Sequence, residues 1–63
     1  MTYSFSAKLK CLQRELAIRR NVYPKRMRMG SMRAESADSE IAMLEEIIDD
    51  YKRYIDANKF PLD

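Results

Sequence analysis

The sequence has no histidine and no tryptophan, a single cysteine, Cys11, and a single glycine, Gly30. Each absence removes a class of chemistry. Without histidine, general acid or base work would fall to a carboxylate or a lysine, and a helix face rich in Asp and Glu lacks the desolvation that tunes such groups. Cys11 has no imidazole to activate it, and one cysteine with no histidine cannot complete a tetrahedral zinc site or a disulfide. One glycine is too few for a phosphate-cradling loop. The pairs Glu45-Glu46 and Asp49-Asp50 are adjacent on a helix, so their side chains diverge by roughly 100° and chelate a cation poorly. The expectation is a protein that is not an enzyme and needs no cofactor, metal or small-molecule substrate.

Long apolar runs are also missing. No window approaches the eighteen or so apolar residues that span a bilayer, and the first residues lack the basic-then-apolar pattern of a secretory signal. A lone cysteine suits a reducing compartment, so a cytoplasmic location with a mature chain starting near Met1 is expected. There is no repeat, low-complexity segment or strand-like alternation.

What is present is helical periodicity. Ala37, Ile41, Leu44, Ile48, Tyr51 and Ile55 recur at alternating spacings of four and three, which is a heptad seam, with Met43, Ile47 and Tyr54 in a second row beside it. The apolar arc is roughly 160° wide, and Asp38, Glu45, Glu46, Asp49, Lys52, Arg53 and Asp56 take the remainder. The first half repeats the design: Phe5, Leu9, Leu12, Leu16 and Tyr23 form one row, and Cys11, Ile18 and Val22 a second. Between these rows run Lys8, Glu15 and Arg19. Glu15 and Arg19 are spaced for an ion pair, within reach of Glu40 on the other helix, and such a pair can set register.

Punctuation places the elements. Pro24 lacks a donor and disfavours helical geometry at Tyr23, which predicts a kink or break there. Gly30 fits a left-handed C-cap, and Met32 stands where a hydrophobic staple would sit. The usual capping residue is missing at Arg33, which allows a start as late as Ser36. The reading is all-α: a single domain of helix 1 over about 5–29, a turn at 30–33, helix 2 over about 34–57 and a tail from 58 to 63. Phe60 and Leu62 in that tail are expected to fold back onto the helices.

A chain of 63 residues buries only roughly 60% of the surface its unfolded form exposes. Both apolar arcs are too wide for one neighbour, so the antiparallel hairpin is expected to dimerise into a four-helix bundle. The core and dimer candidates are Leu9, Leu12, Leu16, Ile18 and Val22 with Ile41, Met43, Leu44, Ile47, Ile48, Tyr51, Tyr54 and Ile55.

Charge is divided between the halves. Residues 1–33 carry nine Lys and Arg against Glu15, a net +8, and residues 34–63 carry nine acids against three bases, a net −6. Two such helices folded together neutralise one another, which is the plain explanation. The elbow is nonetheless basic and soft: Arg19, Arg20, Tyr23, Lys25, Arg26, Met27, Arg28, Met29 and Arg33 form the candidate partner-binding set. Methionine adapts to varied shapes, and arginine is common at interfaces and on phosphates. Some of these methionines are expected simply to cap the hairpin core; a protein partner with an acidic, grooved surface comes next, and nucleic acid third. With only Asn21 nearby to read a base edge, DNA contact there would be non-specific and salt-dependent.

The segment Cys11-Leu-Gln-Arg-Glu-Leu-Ala-Ile-Arg-Arg-Asn-Val-Tyr-Pro24, followed by Gly30, Met32, Ala37-Asp38, Glu40-Ile41 and Met43-Leu44-Glu45, resembles a group of short proteins encoded in phages and prophages of Gram-negative bacteria. The likeness covers roughly residues 9–50. It implies a phage or prophage origin and a bacterial cytoplasm, and it implies no activity. Where such proteins often have a bulky apolar residue after the proline, this chain has Arg26 and Met27. The expected role is a phage-associated accessory protein that binds a host or phage protein; a phosphate-contacting protein and a structural subunit of a larger assembly are the alternatives.

Overall fold

The first helix begins where a hydroxyl can satisfy its open end. In the computed structural model, which describes residues 2–58, the Ser4 side chain accepts a hydrogen bond from the Ala7 amide at 3.0 Å, capping α1 (Phe5–Arg28). The second helix, α2 (Ala34–Asn58), packs antiparallel against it. The described residues form a two-helix, all-α hairpin 43 Å long and 18 by 16 Å across.

Pro24 does not end α1. The helix passes through it to Arg28. Proline costs one i→i−4 bond, here to the Arg20 carbonyl, but Pro24 stands one turn from the helix end, where few further bonds depend on it. Helical bonding continues to the C-cap, where the Met29 amide donates to the Lys25 carbonyl at 3.1 Å.

The turn is a Schellman motif. Gly30 has φ +75°, its amide donates to the Met27 carbonyl at 3.1 Å, and the Ser31 amide donates to the Arg26 carbonyl at 3.0 Å. The Ser31 hydroxyl adds a second bond to that carbonyl at 3.2 Å. Helix 2 then starts at Ala34 rather than near Ser36. The Arg33 carbonyl accepts the first helical bond from the Ala37 amide at 3.0 Å, so Arg33 serves as the cap residue through its backbone. Met32 is partly buried just before it, and Ala37, one turn on, has no exposed surface.

Between the helices runs a single seam. Leu9, Leu16, Leu44, Ile48 and Ile55 are buried, and Phe5, Leu12, Ile41 and Tyr51 pack partly buried against them. Ser6 and Ala37 mark its two ends, both buried and both small enough to admit a close approach. Helix 2 extends to Asn58, whose side-chain amide donates to the Tyr54 carbonyl at 2.8 Å. The tail from 59 to 63, with the expected fold-back of Phe60 and Leu62, lies outside the described residues.

Candidate functional site: two sides and an elbow

The seam divides the hairpin into two broad sides, each bridged by an arginine. On one side, Arg19 Nε donates to Glu15 at 3.2 Å, while its terminal nitrogen donates to the Glu40 carbonyl at 3.1 Å and lies 3.6 Å from the Glu40 carboxylate. The ion pair set by the Glu15-Arg19 spacing therefore forms and reaches across to helix 2. On the other side, Arg20 pairs with Glu45. Residues one or two helical steps from these bridges belong to the same sides.

Ile18 and Val22 stand beside Glu15 and Arg19 at i+3, and Met43 and Ile47 continue from Glu40 at i+3 and i+7. The second apolar rows of both helices thus lie on the Arg19 side. Ile18, Met43, Ile47 and Tyr54 are about half exposed there, with Tyr54 also meeting the Phe5 ring at 5.5 Å between centroids. Lys8 spans the same strip, its ammonium 5.3 Å from the Phe5 ring. Cys11, exposed, continues the row toward the N-terminus. The Arg20 side differs in chemistry: an open groove there is lined by Gln13, Arg20, Glu45, Glu46, Asp49 and Lys52 among others.

The residues expected to form core and dimer surface therefore divide. Leu9, Leu16, Leu44, Ile48 and Ile55 are buried, Leu12, Val22, Ile41 and Tyr51 are half-buried, and Ile18, Met43, Ile47 and Tyr54 are left on the outer surface.

The elbow set divides as well. Arg19 and Arg20 are engaged with acids of the hairpin itself. Tyr23 is half-buried, its ring about 6 Å from both the Arg19 and Arg26 guanidinium carbons, at 6.0 and 5.9 Å. Among the described residues, no carboxylate pairs with Lys25, Arg26, Arg28 or Arg33, and Met29 is 80% exposed while Met27 is half-buried. Lys25, Arg26 and Arg28 occupy the last turn of α1, where positive charge complements the open carbonyls and the negative end of the helix dipole. Part of the elbow's basicity thus has a structural cause.

No family model matches this chain, and neither does any curated protein or solved structure.

Geometry alone bears on what the surfaces can do. Among the described residues no group of three or more His, Cys, Asp or Glu side chains could hold a metal ion, and no helix is long and apolar enough to cross a membrane. Two features escaped sequence reasoning. The Arg20–Glu45 bridge needed the register of the helices, and Ser6, a polar residue on the seam, carried no apolar signal.

Proposed function

We propose that this chain is a small non-catalytic binding module, a phage-associated accessory protein acting as a homodimer on a host or phage protein in the bacterial cytoplasm. The observation that carries the binding role is the state of the elbow tip. Lys25, Arg28 and Arg33 are exposed and without an acidic partner among the described residues, beside the 80% exposed Met29, whereas Arg19 and Arg20, earlier in α1, are paired with acids. Unpaired cations around a soft apolar side chain suit an acidic, grooved protein surface. The phage origin and the compartment rest on the resemblance carried by the Arg19-to-Pro24 motif and by Gly30, Met32 and the matching positions of helix 2.

Affinity purification from host lysate with nuclease present tests this reading, using the natural chain beside a Lys25→Glu/Arg28→Glu variant. Recovery of one acidic protein by the natural chain, and its loss with the variant, is the expected result. The same cations favour phosphate contact as a second reading. A mobility shift of duplex DNA at low salt, lost as salt rises and lost with the variant, would replace the first reading with that one.

A further inference from the structure

The half-exposed rows on the Arg19 side have a definite geometry, and it constrains what covers them. Ile18 of α1 and Met43, Ile47 and Tyr54 of α2 flank one side of a hairpin 43 Å long and 18 Å wide. The whole side, 43 by 18 Å in outline, is of the size that a standard stable interface covers on each partner, roughly 800 Å², and the apolar rows form part of it. A chain with so thin a seam has reason to cover it. Beyond the apolar rows the rims are of opposite charge. Arg14 and Lys25 follow the row on α1, and Asp50 follows the row on α2 with Glu46 beyond it, on the outer ridge of α2 where the Arg19 side meets the back of the polar groove.

Two twofold arrangements would bury this side against a second copy. If the axis runs across the helices, the elbows point in opposite directions and α1 lies over the partner copy's α1, basic on basic. If the axis runs along the helices, the elbows share one end and α1 lies over the second copy's α2. Every neighbouring pair in the bundle is then antiparallel and opposite in charge. The like-charged helices stand on the diagonals, about 14 Å apart when neighbours pack at about 10 Å, which exceeds the roughly 8 Å screening length at physiological salt. The register agrees: Arg19 is level with Glu40 and Phe5 with Tyr54, which puts Arg14 level with Glu45–Glu46. An axis along the helices preserves levels, so the Arg14 rim of each copy meets the Glu46 rim of the other.

From this we propose that the Arg19 side is the interface with a second copy of this chain, joined along the helices with both elbows at the same end. The inference rests on the homodimer proposed above and adds its face and direction. It also brings the two sets of unpaired elbow cations to one end, a local repulsion set against the pairing along the helices and relieved when an acidic partner meets both at once.

Spin labels on Ser31→Cys, in a Cys11→Ser background whose helicity is checked by circular dichroism, read the direction. The expected interlabel distance is short, on the order of 20 Å for helices packed at 8–10 Å. A distance near the 43 Å molecular length would overturn the shared-end arrangement while leaving the dimer standing. A monomer by light scattering would overturn both. Charge reversal gives an independent reading: Arg14→Glu should weaken association at least several-fold, and adding Glu46→Arg should restore it. Failure of that rescue, with both variants helical, contradicts the pairing of α1 with the second copy's α2.

Discussion

The two broad sides of the hairpin share a seam and an arginine bridge, yet they differ in almost everything around it. On one side, Arg19 is three-quarters covered and makes three contacts to Glu15 and Glu40 among Ile18, Met43 and Ile47. On the other, Arg20 is more than half exposed and makes one pair, with Glu45, in an open polar groove. The contrast arises from single-residue offsets. The residue before a seam position is apolar in Cys11-Leu12, Val22-Tyr23, Met43-Leu44, Ile47-Ile48 and Tyr54-Ile55. The residue after it is polar in Leu12-Gln13, Leu44-Glu45, Ile48-Asp49, Tyr51-Lys52 and Ile55-Asp56. Reversing chain direction brings equal offsets to the same side, so two helices with this bias make a hairpin with one apolar side and one polar side.

Substitutions grade that contrast. The seam is common to both sides, and Leu44→Ala should cost about 2–5 kcal/mol by cavity formation and lost burial. In a domain with so small a core this unfolds much of the population, seen as loss of helical circular dichroism at 25 °C. Arg19→Ala should cost about 1.5–3 kcal/mol, because it strips charge-assisted hydrogen bonds from a partly covered site. Urea denaturation would measure it. Gly30 decides how the helices come back together. Its Gly30→Ala variant meets no atom within 4 Å of the new Cβ, so its expected loss of about 1 kcal/mol is conformational, from an L-residue held at φ +75°. Arg20→Ala should change stability least, within about 1 kcal/mol, as exposed pairs do. Equal losses for Arg19→Ala and Arg20→Ala would erase the difference between the sides.

Much of the fold was legible because it is local. The seam from Ala37 to Ile55, the left-handed turn at Gly30 and the Glu15–Arg19 pair all follow from spacing within one helix. Of the kink or break expected at Pro24, the break does not occur, because a lost bond matters less one turn from a helix end, where four residues remain, than in mid-helix. Helix 2 starts at the expected residue 34 without a capping side chain, because the Arg33 backbone carbonyl can begin a helix by itself. The division of the elbow cations, with Arg19 and Arg20 neutralised and Lys25, Arg28 and Arg33 left exposed, was hidden because it depends on which acids of α2 stand level with which bases of α1. The offsets that put both second rows on one side were in the sequence, but they acquire meaning only once the helices are known to run antiparallel.

The central claim is that the two sides are unequal in association as well as in composition. Sedimentation equilibrium tests it most directly, on the natural chain and on two variants that place the same new charge on opposite sides, Ile47→Asp and Ala42→Asp. A dimer for the natural chain and Ala42→Asp, with Ile47→Asp monomeric, is the predicted outcome. A helical monomer for the natural chain, or equal association by the two variants, would contradict the account.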